Sequence, residues 1–139
     1  MSGLMLEIIT PSKISFKGGV NSVTVPGTVG SFQVLKNHAP LISTFEIGAI
    51  KIVLIDDSEK FYATGGGTIE VLNNQVLILA DSLEAVEDID VERATSAKER
   101  AEERLAHKTE TTNIERAENA LKRSINRLRI VEKHIRAEL

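Results

Sequence analysis

Arginines 93, 100, 123 and 127 are spaced so that their side chains could act together. Arg93 and Arg100 stand seven apart in VERATSAKER, and Arg123 and Arg127 stand four apart in KRSINR. Either interval returns a helical side chain to the same face. The planar guanidinium fork matches the oxygens of a phosphate two at a time. If the two segments are helices running in opposite directions, all four groups converge and a phosphate-rich anion is the ligand they suit. The ordinary alternative is a pair of solvated helices laced with ion pairs, Glu99 and Glu103 against Arg100 and Arg104, and Glu115 and Glu118 against Lys122. Spacing alone favours that alternative.

The first pair must be positioned by DIDVERA, residues 88–94. Asp90 is a good N-cap for a helix beginning at Val91, and Asp88 and Glu92 suit the positive end of its dipole. From this point the chain reads as helix. Ile114, Ala117, Leu121, Ser124, Leu128, Val131 and Ile135 recur at steps of three and four, a heptad seam. Val91, Ala94, Ala97 or Ala101, and Leu105 form a narrower stripe upstream. Between them lies AHKTETTN, in which Thr112 and Glu115 match a capping box that starts the second helix. A connection this short predicts an antiparallel hairpin.

That hairpin is marginal by itself. Its few large aliphatics contribute about 1.5–3 kcal/mol each if fully buried. Ordering the backbone costs about 1–2 kcal/mol per residue. It must rest on the rest of the chain, on a partner or on a ligand, and it can exchange among them.

The chain before Asp88 has a different period. LEIIT, NSVTVPG, SFQVL, AIKIVLI, KFYATGG, GTIEV and QVLILA are short runs rich in Val, Ile and Thr. Turn formers separate them: Gly18-Gly19, Pro26-Gly27, Lys36-Asn37, Asp56-Asp57-Ser58, Gly65-Gly66-Gly67 and Asn73-Asn74. Val23 and Val25 alternate with Ser22 and Thr24, and Ile69 and Val71 flank Glu70, so each strand has one packed and one wet face. The expected fold class is α+β: an N-terminal antiparallel β-sandwich or flattened barrel over residues 1–86, then a C-terminal antiparallel two-helix hairpin over 87–139. AIKIVLI and QVLILA are its predicted central strands.

Other features carry less. Gly65-Gly66-Gly67 is no phosphate loop, since neither Lys-Ser, Lys-Thr nor a helix follows; a tight turn between strands is expected there. His38, in LKNHAPLIS, sits in a structured loop where Pro40 holds Ala39 extended and Asn37 tolerates positive φ. No local carboxylate or nucleophile orients it, and His107 and His134 lack metal-ligand spacing, so neither catalytic residues nor a metal site is predicted. With no cysteine, disulfides and thiolate zinc sites are excluded. No run approaches the roughly 18 apolar residues of a membrane span, and MSGLMLEIIT has no signal-peptide pattern.

The net charge of −3 conceals a split. Residues 1–88 hold five lysines against ten acids, whereas 114–139 hold seven basic side chains against four acids. An acidic body and a basic tip suit different partners. Nucleic acid is not among them, because residues 89–139 contain no Phe, Tyr or Trp to stack on bases.

In order along the chain, LEIITPSKISF, GTVGSFQVLKNHAPLIS, YATGGGTIEVLNNQVLILAD and IDVERA with AKERAEERL resemble the epsilon subunits of F-type ATP synthases. Phe32-Gln33 stands where that family usually has Leu-Gly, and Asn37 replaces a common glycine. The resemblance implies a non-catalytic rotor subunit whose β-sandwich clamps the gamma subunit and sits on the c-ring. It implies a mobile hairpin that, extended into the alpha/beta catalytic head, inhibits ATP hydrolysis. It implies ATP as a regulatory ligand of the folded hairpin rather than a required cofactor. The matching positions are Ile89, Asp90, Arg93 and Ala94 in IDVERA, then Arg100, Arg123 and Arg127, with Glu84 at an acidic position near the adenine. The location implied is the cytoplasmic side of a bacterial inner membrane, peripheral and held through the complex. The alternative from a different class is a free-standing ATP-sensing module with no affinity for gamma.

Overall fold

A computed structural model describes residues 3–138, and these divide into two compact units between Ala85 and Val86. The first holds seven strands: β1 (Leu4–Thr10), β2 (Lys13–Gly27), β3 (Gly30–Leu35), β4 (Leu41–Leu54), β5 (Glu59–Leu72), β6 (Gln75–Ala80) and β7 (Leu83–Ala85). Neighbours run β1-β6-β5-β4-β2-β3, and β1 also pairs with β2, so the sheet closes on itself as a flattened barrel. The β1–β6 pair is parallel and every other pair antiparallel.

Alternation builds the core. Leu4, Leu6 and Ile8 of β1, Val23 and Val25 of β2, Ile50 and Ile52 of β4, Ile69 and Val71 of β5, and Val76 and Ile78 of β6 all point inward and are buried. Glu70, between Ile69 and Val71, is exposed as the pattern requires. QVLILA behaves less simply. It is central, between β5 and β1, yet Leu79 is 47% exposed, so its apolar run serves both faces.

Two expectations about glycine change. Gly18 and Gly19 lie within β2, and Gly65, Gly66 and Gly67 lie within β5, so neither cluster is a turn. KFYATGG and GTIEV are one strand. Along it the partner changes, from β7 at Tyr62–Thr64 to β6 at Gly67–Leu72, and opposite β4 the ladder lacks only the Glu46–Gly66 pair. The triple glycine is the bend where β5 passes from one layer to the other. A Cβ on Gly67 would stand 2.0 Å from the Leu79 carbonyl oxygen, and Gly66 has φ +103°. Asn37, with φ +65°, fits its loop as expected; its N–H donates to Asn74 Oδ1 at 2.6 Å, tying the His38 loop to the β5–β6 turn.

The second unit contains a 3-10 turn (Val86–Asp88), α1 (Val91–Ala106) and α2 (Ile114–Glu138). Asp90 caps α1 as predicted, its Oδ1 accepting from the Arg93 N–H at 3.1 Å. The start of α2 differs. Asn113, not Thr112, is the cap: its Oδ1 accepts from Arg116 N–H at 3.0 Å and its carbonyl accepts from Ala117. Thr112 instead accepts from the Thr109 N–H at 2.9 Å, folding the connection back before the helix begins. An amide side chain one residue nearer the helix reaches the free N–H first, leaving no box between Thr112 and Glu115.

Gly67→Ala is expected to lower unfolding stability by about 3 kcal/mol, since backbone rather than a flexible side chain occupies the space; urea denaturation of the full chain reads this. Asn113→Ala should cost about 1 kcal/mol of hairpin stability and Thr112→Ala clearly less, measured as loss of helical ellipticity on heating.

Candidate functional site

The buried residues of α1 and α2 among the described side chains are Ala94 and Ala101, and Ala117, Ser124 and Ile130. Four of these are small and fall seven apart on each helix. The large residues of the predicted seam are displaced: Leu121, Leu128 and Val131 are half-buried, while Val91, Ile114 and Ile135 are exposed. Small side chains at the contact let two helices approach closely, so larger neighbours end on the flanks. With α1 and α2 packed and joined by residues 107–113, the register that satisfies both spacings sets Ala94 across from Ser124 and Ala101 across from Ala117. Ser124 is fully buried, and its hydroxyl donates within its own helix, to Ala120 O at 3.1 Å and Leu121 O at 2.9 Å. Separating the helices therefore orphans no hydrogen bond at the seam.

This register places the arginines. A residue one before a seam position is turned about 100° from the contact, and one three after it about 60° in the same sense. In an antiparallel pair the same sense means the same flank. Arg93, Arg100 and Arg104 of α1 thus share a flank with Arg116, Arg123 and Arg127 of α2. Ala97 and Ala120, both half-buried, lie across from each other on that flank and leave its floor low. Leu105, Leu121, Ile125 and Leu128, each half-buried, occupy the other flank.

The ion-paired alternative is absent here. Arg93, Arg100, Arg104, Arg116 and Arg123 enter no ion pair among the described residues. Helical phase explains it: Glu92, Glu99, Glu103 and Glu115 are turned to the back of the pair, away from the arginine flank. A concentration of guanidiniums on one flank has the chemistry to suit a polyanion.

The predicted positions are distributed as follows. Arg93, Arg100 and Arg123 are exposed on this flank and Arg127 is half-buried on it. Asp90 caps α1 at the head of the flank, and Ile89 and Ala94 are buried, Ala94 in the seam. The 3-10 turn packs on α2, with Val86 and Ile130 buried. Glu84 stands on β7 in the first unit, paired with Ala63. Arg104 and Arg116 were missed as members of the group. The signal was present: an arginine precedes each small seam residue, at Arg93-Ala94, Arg100-Ala101, Arg116-Ala117 and Arg123-Ser124.

The first unit carries a different surface. Met5, Leu72 and Leu79 are exposed on the outer face of β1, β5 and β6, and Met5 and Leu72 border a groove of about 590 Å³ lined also by Glu7, Lys17 and Leu77. An exposed apolar patch rimmed by charges is the form of a protein-binding surface. His38, by contrast, directs Nδ1 at the Ala39 carbonyl 2.7 Å away and has no catalytic constellation about it.

Comparison with known proteins joins the two units. Residues 3–86 match the model of the ATP synthase delta/epsilon chain β-sandwich domain, and residues 87–132 match that of its long α-helix domain. An ATP synthase epsilon chain of Moorella thermoacetica is 42% identical over 129 residues, 93% of this chain and 96% of that one. The epsilon chain of Desulfitobacterium hafniense strain Y51 is 44% identical over 123 residues, 88% and 92% of the two chains. Among solved structures, a chain of the Euglena gracilis mitochondrial ATP synthase OSCP/F1/c-ring assembly superposes with a TM-score of 0.78 at 21% identity, covering 88% of this chain and 77% of that one. One from the Tetrahymena thermophila central stalk/c-ring gives 0.61 at 14% identity, covering 93% and 96%. At those identities the superpositions speak for the fold alone. The two matched domains and the curated relatives together show that this chain belongs to the ATP synthase delta/epsilon family and stands among its epsilon chains.

Proposed function

We propose that this epsilon chain is a non-catalytic rotor subunit of the central stalk, which couples gamma to the c-ring during proton-driven ATP synthesis. In this reading its hairpin inhibits ATP hydrolysis when extended into the alpha/beta head. ATP binds the folded hairpin at Arg93, Arg100, Arg123 and Arg127 and holds it in the non-inhibitory position. The exposed apolar face around Met5, Leu72 and Leu79 supports docking of the β-sandwich on gamma. No helix among the described residues is long and apolar enough to cross a membrane, which suits attachment through the complex on the cytoplasmic side of an inner membrane.

The observation that carries the regulatory part is the seam of Ala94, Ala101, Ala117 and Ser124 beside a flank on which Arg93, Arg100, Arg104, Arg116 and Arg123 enter no ion pair among the described residues. Burying alanines contributes little, about 0.8 kcal/mol per methyl-sized group. Like charges crowded on one flank oppose closure. An anion that binds only the closed form reverses the balance, adding about 2.7 kcal/mol at a hundred times its dissociation constant. That decides the position of an element whose two states lie within a few kcal/mol. A free-standing ATP sensor would share the flank but would have no use for the apolar face.

Arg123→Ala and Arg127→Ala should each weaken ATP binding roughly tenfold or more, the loss of a charge-assisted hydrogen bond. Arg129→Ala, on the back of α2, should leave it nearly unchanged. Calorimetric titration of the purified chain distinguishes a site from diffuse attraction, for which all three losses would be equal. Removal of residues 89–139 should leave a folded β-sandwich that still assembles with gamma but relieves inhibition of hydrolysis; unfolding of the truncated chain, seen by circular dichroism, would contradict the division of labour between units.

A further inference from the structure

The arginine flank is longer than one nucleotide needs. Along the hairpin it falls into two groups. Arg93, Arg123 and Arg127 lie at the end nearer the 3-10 turn, and Arg100, Arg104 and Arg116 at the end nearer the 107–113 connection. Successive seam residues are seven apart, so the groups are separated by about 10 Å. That exceeds the distance from the first to the last phosphorus of a triphosphate. A triphosphate centred on the first group, with Arg100 reaching back to it, leaves Arg104 and Arg116 unused.

We propose that this flank is a binding site for linear polyphosphate, a chain of phosphates longer than that of ATP, running from the first arginine group across Ala97 and Ala120 to the second. The inference deepens the ligand reading given above for the same flank and rests on it for the first group. The floor between the groups is made of two methyl side chains and offers no acid to repel the anion. In the second group Arg100, Arg104 and Arg116 form no ion pair among the described residues, so their donors face solvent and are available. A repeating anion with one charge or more per unit supplies oxygens at every step, which a flank with arginines at regular helical intervals can take up two at a time. The same occupant relieves the repulsion at both ends of the flank and favours the closed hairpin more strongly than a triphosphate does.

The test is calorimetric titration of the full chain, without magnesium, using ATP, inorganic tripolyphosphate and a linear polyphosphate several times longer. Binding is expressed per chain of ligand. The long polyphosphate should bind roughly tenfold tighter than tripolyphosphate or better. The double substitution R104Q/R116Q should abolish that advantage and leave ATP affinity and helical ellipticity in place. R129Q/K133Q, the same change of charge on the back of α2, should preserve it. Equal affinity for the long and short chains would overturn the proposal, as would an equal loss in both double variants, which is the behaviour of unspecific attraction. If long polyphosphate binds as described while ATP does not bind at all, the polyphosphate site stands and the nucleotide reading falls. ATP binding without any advantage for the longer chain has the reverse meaning.

Discussion

The contact between two alanines on one helix and an alanine and a serine on the other governs the rest of the hairpin. Ala94, Ala101, Ala117 and Ser124 bring the backbones of α1 and α2 close, and everything larger is turned to one side or the other. One consequence is energetic. A seam of this kind buries little apolar area, so the helices are held together far less firmly than their lengths suggest. The other is geometric. Because each small residue follows an arginine, the closeness of the seam draws the guanidiniums of both helices onto a common flank. Weak cohesion and concentrated charge thus have a single origin.

The buried hydroxyl of Ser124 completes this arrangement. Its two hydrogen bonds are made to carbonyls of its own helix, so its polar group is satisfied whether or not α1 lies against it. A buried group that depended on the opposite helix would tie the hairpin closed at a cost of about 1–3 kcal/mol on opening. Here the polar bonding is indifferent to the position of α1. The hydrogen bonding of Ser124 therefore sets no preference for where α1 lies.

The β-sandwich is built on the opposite rule, with large side chains at its contacts. Large aliphatics from every long strand meet in its centre, and β5 threads between both layers by bending at Gly66 and Gly67, where the Leu79 carbonyl takes the place of a side chain. The clasp between Asn37 and Asn74, two residues at positive φ, fixes the one long loop to a neighbouring turn. The two units thus follow opposite packing rules, large side chains meeting in the first and small ones in the second.

What the sequence determined by itself was set by short-range physics. The switch of period at Asp88, the cap at Asp90, the alternation of Ile69, Glu70 and Val71, and the exclusion of a phosphate loop at the triple glycine each depend on a few neighbouring residues. The family followed from motifs in order along the chain. What the tertiary structure decided involves residues distant in sequence. Gly65 to Gly67 read as a turn until β4, β6 and β7 showed where each half of β5 pairs. Thr112 read as a cap until the fold of the connection gave that place to Asn113. QVLILA read as a central strand, and it is one, but the exposure of Leu79 on its outer face came only from the structure. The register of the helices shows why Arg104 and Arg116 belong with the other arginines. A heptad pattern says which residues of one helix share a face, but the side of the pair on which that face lies depends on which residues of the other helix it meets, and only packing in three dimensions fixes that.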